Sequence, residues 1–582
     1  MRRWPPGALG ALALLVRLGL LGQAPPPATD HAGAFSEYAG AADHPLASAA
    51  GAQILAQGGN AADAAAATML ALGVVSPASS GLGGGGFGLY READGTVSFL
   101  DFRERAPGAA TAEMFAVREG DDEETAATRS RAGGLAVGVP GEPAGIELLI
   151  ERFGSGEVNR AQIAAPAIRY ATEGFEANDR FERFSAWLAE PMRADPVWGR
   201  WFPPGADRIP AGHRIRNPAH ARTLAAFARS GARPFYRGTI ARAIVRAVRA
   251  HGGVMTLDDL GAYEVLTREP ILGRHFGYTW VTAPPPSAGG FTVLQSLALL
   301  EAWLPEERRG EDSALLRHAF AESWKGAYLD RHLYVGDPDH VDVPLAGLID
   351  PARGEARARV FHPTLARDSV HYAVPIPGRA EPRAARPGLD AGTSHLCVVD
   401  AEGNVASVTT TVNLPFGARF SAAGIVMNDE MDDFAREVGE QNAFGLVGGA
   451  PNLPGPGRRP VSSMAPTIVL DADGPALCVG ASGGSRIPTA LEQVAYFVLV
   501  AGDTPEEAIA RPRVHHQGEP ESLQHEGELP AELEARLAAR GHRLAEMRYS
   551  AVVQAIQVDD EGPRRTLRAA SDPRKGGRPA GR

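Results

Sequence analysis

Two residue types are almost missing from this chain. Of its 58 lysines and arginines only Lys325 and Lys575 are lysine, a skew that reads as a base-composition habit of the genome. Cysteine is as scarce, with Cys397 and Cys478 both inside apolar, strand-like runs. Two cysteines build neither a disulfide framework nor a zinc site, and the runs around them read as housing buried free thiols. Long apolar stretches are missing too. Ala8–Leu21 is interrupted by Arg17 and is shorter than the roughly 20 residues a membrane helix needs. Behind Met-Arg-Arg and ahead of a Pro/Ala-rich exit, it has the make-up of a secretory signal. Residues 1–29 are therefore assigned to a signal cut near 24–30, with an uncut anchor as the alternative, and the protein is expected to be exported, periplasmic or extracellular. Excess positive charge is also absent. A formal net charge of −11 over 582 residues argues against nucleic acid as a partner. The remaining composition, 44% hydrophobic and 22% charged, suits a large folded core.

Along the chain, His44–Val75 is alanine-rich and reads as two helices. Gly58-Gly59 ends the first and Asn60 caps the second, over Ala61–Leu72. The glycine run after Ser79 lacks the Lys-Ser/Thr of a phosphate loop and precedes a strand, so it reads as a tight packing turn. Arg103 and Arg105 flank Glu104 at the end of a strand, where a guanidinium can fork onto a carboxylate. Residues 130–260 read as mainly helical, Trp280–Thr282 as a strand, and 108–372 as scaffold without a catalytic constellation. The acidic stretch Asp429, Glu430, Asp432, Asp433 has no alternating cations. It reads as a solvated loop or as a site for a cationic amine, and calcium is the weaker reading because the glycine turn of a calcium loop is missing. Residues 435–459 are rich in Gly, Pro and Asn and read as a lid or as disordered. Gly483 and Gly484 fall where a strand enters the helix carrying Ile487, Leu491, Val494 and Val498, a junction that favours negative charge.

The stretch that organises these parts is Gly392-Thr393-Ser394-His395. Residues 373–392 are Pro/Gly/Arg-rich and read as an exposed, flexible linker. Thr393–Asp400 then reads as a buried strand, and Val405–Thr411 returns as a second one, rich in β-branched residues. If the Gly392–Thr393 bond is cut, Thr393 carries a hydroxyl and an α-amine whose unperturbed pKa of about 7.7–8.0 suits a base near neutral pH.

Taken together, the segments HPLASAAGAQILAQGGNAADAA, SSGLGGGGFGLY, DFRERAP, APPPSAGG, GTSHLCVVD, TTTVN, MNDEMDDF, RPVSSMAPTIV and GASGGSRI, with RVHHQ and ASDPR near the end, closely resemble γ-glutamyltransferases of the N-terminal nucleophile hydrolase superfamily. The resemblance spans about residues 30–575. It implies an α+β fold, a four-layer αββα sandwich, made from one precursor that cuts itself before Thr393. Residues 30–392 would form a large subunit and 393–582 a small one, associated as a heterodimer. By position it implies that Thr393 is the nucleophile and Thr411 its hydrogen-bond partner. Arg103, Asn413, Ser462 and Ser463 would hold the glutamyl α-carboxylate, Glu430 and Asp433 its α-ammonium, and the amides of Gly483 and Gly484 would form the oxyanion hole. The implied donors are glutathione and other γ-glutamyl compounds, and the acceptors water, amino acids or dipeptides. No metal or organic cofactor is implied, because the threonine supplies its own base.

Two positions depart from the pattern. Gly392 stands where many relatives carry a larger polar residue, which bears on the rate of self-cleavage. Phe444 lies in the lid where bacterial relatives carry tyrosine, so a looser lid and hydrolysis rivalling transfer are expected. Two other functions remain open. One is a glutaryl or cephalosporin-type acylase of the same fold, whose acyl group lacks the α-ammonium and leaves Glu430 and Asp433 without a role. The other is an uncleaved, non-catalytic binding protein, which the retention of Thr393 and its partners opposes.

Overall fold

The strand Thr393–Val399 alternates side by side in a way that decides the architecture. Leu396 and Val398 pack with the alanine-rich helices Pro45–Ala56 and Ala61–Val75, whereas Cys397 and Val399 join a second core with Leu477, Val479 and Ile556. A strand that is apolar on both faces must be covered on both, and this one is buried at every residue. In the computed structural model, which describes residues 30–376, 392–547, 550–559 and 565–582, it lies near the middle of a seven-stranded antiparallel sheet. The order is Ala580–Gly581, Ala39–Ala42, Thr393–Val399, Val405–Thr411, Gly85–Arg91, Val97–Phe102 and Leu266–Arg268. A second seven-stranded sheet runs Ala32–Phe35, Thr566–Ser571, Val552–Asp559, Pro475–Ser482, Thr467–Leu470, Tyr278–Thr282 and Ile271–His275. The two sheets stack face to face. Helices Gly289–Trp303, Ala314–Tyr334 and Ile487–Tyr496 cover the outer face of the second sheet. The αββα sandwich expected from the resemblance is the observed fold. The region assigned to a signal, and the linker except for residues 373–376 and 392, lie outside the described residues.

The helix capping follows the local sequence. Asn60 and Asp63 form a capping box, and the Asp400 carboxylate accepts from the Ala61 N–H at 2.9 Å, tying the second helix to the end of the central strand. The glycine run is more than a turn, because Gly85 and Gly86 already pair within the sheet. A Cβ on Gly84 would stand 1.9 Å from the Thr411 carbonyl oxygen, so only glycine lets the two backbones approach.

The cysteines correct the sequence reading. Cys397 and Cys478, which stand 81 positions apart, form a disulfide between the facing sheets and are not free thiols. The sequence separation hid a pairing that only the stacking of two strands creates. Close by, the His395 ring lies against the second sheet at Gly480, where an added Cβ would come within 2.2 Å of it.

Two outcomes are expected. Thiol titration of the denatured, unreduced protein detects no free thiol, and two titrating thiols would overturn the inter-sheet link. Gly480→Ala overpacks the space between the sheets and lowers stability by about 1–3 kcal/mol, read as a drop in the thermal or urea midpoint.

Candidate active site

Strand register places the first components. Thr393 pairs with Thr411, and Thr411 pairs with Gly85, so the three residues share one rung of the sheet. Thr393 Oγ1 lies 3.1 Å from Thr411 Oγ1, which also lies 3.1 Å from the Gly392 carbonyl oxygen and accepts from the Asn413 N–H at 2.8 Å. A hydroxyl has one hydrogen and two acceptor sites. All three contacts are satisfied together when Thr411 donates to Gly392 and accepts from both Asn413 and Thr393. Gly392 itself donates to the Asn413 carbonyl at 2.6 Å. A Cβ on Gly392 would approach the Ala78 oxygen to 2.5 Å and the Leu414 backbone to 2.8 Å, so packing restricts this position to glycine.

Arg103, Thr393, Thr411, Asn413, Glu430, Asp433, Phe444, Ser462, Ser463 and Gly484 line one small cleft, with Met464 and Ile487 as its apolar wall. Gly483 lies one residue behind the lining, next to Ala551. Gly483 and Gly484 have φ of 143° and 57°, values that favour glycine. They join the strand Pro475–Ser482 to a short helical turn and the helix Ile487–Tyr496. Asn413, also at positive φ, directs its Nδ2 to the Asp429 carbonyl at 3.0 Å. Ser462 Oγ accepts from the Met464 N–H at 3.1 Å, and the Ser462 carbonyl accepts from Ala288.

The acidic stretch is not a solvated loop. Asp429, Glu430, Asp432 and Asp433 are all buried, and they divide among different partners. Asp429 accepts from the Leu414 N–H, and Asp432 from Ser130, Arg131 and the Ala443 N–H. Glu430 and Asp433 both bind Arg103, the latter at 2.5 Å. The guanidinium and the two acids assigned to opposite ends of one ligand thus grip each other across the cleft. Burial pushes both carboxyls up while Arg103 pulls them down. Burial also opposes the Arg103 charge, but Glu430, Asp433 and Glu104 outweigh it and hold the guanidinium above its usual range. Arg105 does not share this site. It reaches the Gly457 and Ala262 carbonyls, because the strand ends at Phe102 and the alternation that would align both arginines stops there.

The 435–459 segment is folded over the cleft. The Phe444 ring lies against Gly484, Asn442 donates to Asp433, and Gln517 donates to the Gly445 carbonyl at 3.1 Å. The segment is held by the Asn442 side chain and by its backbone at Gly445, and Phe444 contributes apolar contact rather than a hydroxyl.

Sequence reasoning missed several contributors. Tyr328, in the stretch read as scaffold, donates to the Ser485 carbonyl beside Gly484. Glu104 is buried with neither carboxylate oxygen hydrogen-bonded among the described residues, and burial pushes it up to about 8. Glu142 accepts from Thr410, next to Thr411, and from the Gly81 N–H, and burial pushes it up to about 8. Lys575 donates to the carbonyl of Thr393. Its rarity as a residue type was the one available signal.

The sequence profile of the family described as Gamma-glutamyltranspeptidase matches residues 47–582. The chain is 39% identical to the "Glutathione hydrolase proenzyme" of Pseudomonas sp. (strain A14), over 82% of this chain and 81% of that protein. It is 36% identical to the protein of the same name from Escherichia coli (strain K12), over 90% of this chain and 88% of that one. Among solved structures it is similar to a cephalosporin acylase from Bacillus halodurans, with a TM-score of 0.80 at 26% identity, covering 96% of this chain and 98% of that one.

Glu142 yields a test of the buried acids beneath the cleft. Its folded-state pKa of about 8 lies above the ordinary value near 4.3, so between those limits the folded form keeps a proton that the unfolded form has released. Stability should then fall as pH rises from about 4.5 towards 8, with a slope approaching about 1.4 kcal/mol per unit for this group. Glu142→Gln should remove that component, so that urea midpoints at pH 5.5 and 7.5 differ less in the variant than in the wild type.

Proposed function

Because the chain belongs to the gamma-glutamyltranspeptidase family, we propose that it cleaves the γ-glutamyl bond of glutathione and related amides through an acyl-enzyme on Thr393. It is an enzyme made as a precursor, and its threonyl ester passes the glutamyl group to water or to an amino acid or dipeptide. Among the site features, the Arg103–Glu430–Asp433 trio beside Thr393 carries this reading. A γ-glutamyl group ends in an α-carboxylate and an α-ammonium, and the cleft holds one guanidinium and two carboxylates in mutual contact. Binding is an exchange of partners: the α-carboxylate takes Arg103, aided by Asn413, Ser462 and Ser463, and the α-ammonium takes Glu430 and Asp433. A group bearing only one of the two charges leaves a buried ion unpaired, which is strongly unfavourable.

Processing comes first. Thr393 Oγ attacks the Gly392 carbonyl carbon while Thr411, donating to that carbonyl oxygen, stabilises the charge that develops there. The C–N bond to Thr393 then breaks as its nitrogen takes the Oγ proton, leaving an ester and a free α-amine. Hydrolysis of the resulting ester leaves residues 30–392 and 393–582 as two associated parts. In the mature site the Thr393 α-amine takes the Oγ proton as Oγ bonds to the γ-carbonyl carbon. The oxyanion faces the amides of Gly483 and Gly484. The departing amine collects the proton as the C–N bond breaks. Water or an acceptor amine then repeats the sequence in reverse. Phe444 in place of a lid hydroxyl supports substantial hydrolysis beside transfer. Export is part of the reading, supported by the signal-like residues 1–29 and by a disulfide, which persists in oxidising compartments. Among the described residues no helix is long and apolar enough to cross a membrane.

The likeness to a cephalosporin acylase favours side-chain amide hydrolysis as the second reading, and the acid pair separates the two. Chromophore release from γ-glutamyl-p-nitroanilide by the processed protein is expected, rising with added glycylglycine if transfer operates. A fully cleaved protein that releases none would favour the acylase. Thr393→Ala should remain one chain and be inactive, and two fragments on a denaturing gel would remove the self-processing step. Asp433→Asn should lower kcat/KM for the γ-glutamyl anilide by about 10²-fold or more, as expected for leaving a buried charge unpaired. Glutaryl anilide should change only a few-fold, and equal losses would refute the ammonium contact.

A further inference from the structure

A chain that writes nearly every basic residue as arginine keeps lysine at two positions, and both are buried. Lys325 sits on Glu322 at 2.7 Å and on the Arg367 carbonyl, away from the cleft. Lys575 sits behind the nucleophile. Its ammonium donates to the Thr393 carbonyl oxygen, to Asp43 Oδ2 at 2.7 Å and to Ser482 Oγ at 2.8 Å. Those three acceptors match the three donors of an ammonium. A planar guanidinium presents its donors in a fixed fork and does not reproduce that arrangement. The position therefore calls for the compact cation, in a protein that elsewhere uses the other one.

The carbonyl held by Lys575 belongs to the residue that becomes the new N-terminus. Backbone dimensions place the Thr393 nitrogen roughly 5–6 Å from an ammonium hydrogen-bonded to that carbonyl. Resting on the assignment of Thr393 as nucleophile, we infer that Lys575 is a positioning residue whose charge keeps the liberated Thr393 α-amine unprotonated at neutral pH, ready to take the Oγ proton. An ammonium so placed disfavours a second positive charge at the amine. The other charged groups around Thr393 do not cancel this. Asp43 touches the ammonium, not Thr393, and offsets it in part. Arg103, Glu430 and Asp433 across the cleft pair with one another. Glu142 lies beyond Thr410, and burial keeps His44 and His395 neutral. The net displacement expected for the amine is about one pH unit below its unperturbed value of about 7.7–8.0.

The pH profile of kcat/KM for γ-glutamyl-p-nitroanilide tests this with the processed enzyme, because activity falls on the acid side as the amine gains a proton. Lys575→Met should move that limb up by about one unit. Lys575→Arg keeps the charge and should leave the limb within about 0.3 unit even where misfit lowers kcat. A clamp that merely fixes the strand end would lower kcat in both variants without moving the limb, and that result overturns the inference. Should Lys575→Met fail to cleave itself, the wild type still decides. Acylation of its N-terminal amine at graded pH, read by mass spectrometry of the peptide beginning at Thr393, should titrate at about 7 or below, and titration near 8 or above overturns the proposal. Processed protein without γ-glutamyl activity would refute the substrate assignment, while the amine titration would still judge Lys575.

Discussion

The structure depends on burying Thr393, the proposed future chain terminus, inside a sandwich of two sheets. Thr393 begins a strand whose every residue is buried, paired on both sides and covered above and below. A free chain end threaded into that position during folding would carry an unpaired, desolvated charge. An internal peptide carries none, so the precursor can build the sheet first and expose the amine afterwards. Much of the surrounding sequence serves this geometry. Gly84 and Gly86 let the chain run close against the Thr409–Thr411 backbone, Gly480 makes room for His395 between the sheets, and Gly392 threads between Ala78 and Leu414. The Cys397–Cys478 link then joins the strand of Thr393 to the strand that ends beside Gly483. The Thr393 hydroxyl and the strand leading to the Gly483 and Gly484 amides are thereby held by facing sheets.

The second dependence is on charge balance in a space that water barely enters. Arg103 is 1% exposed and Glu430 is 1% exposed, and neither would tolerate isolation. The cleft meets this requirement internally, through direct pairing of Arg103 with both acids. In the proposed reading, a zwitterionic glutamyl group replaces one set of pairs with another and leaves the total charge unchanged. This form of recognition selects for the presence of two charges together. It also gives the buried Glu104 and Glu142 a consistent description, as acids that burial keeps largely protonated near neutral pH so that they add little further negative charge around Arg103.

Read alone, the sequence determined the elements and the chemistry available to them. The β-branched, two-sided strand after Thr393, the Asn60 cap, the glycine run and the strand-to-helix junction at Gly483-Gly484 are local patterns, and local backbone physics fixes what they form. The ordered set of motifs likewise carried the family. What the sequence left open were contacts between residues far apart in the chain. Cys397 meets Cys478 across 81 positions, Arg103 meets Glu430 across 327, and Lys575 meets Thr393 across 182. No periodicity encodes such meetings, because they arise only when two sheets stack and the chain's last segment folds back beside the central strand. For the same reason the acidic stretch by itself read equally as a solvated loop or a cationic-amine site, and Lys575 as a trace of composition. Tertiary packing alone removed the water around them, and removal of water turned an acid cluster into an ion-paired cleft wall and a rare lysine into a neighbour of Thr393.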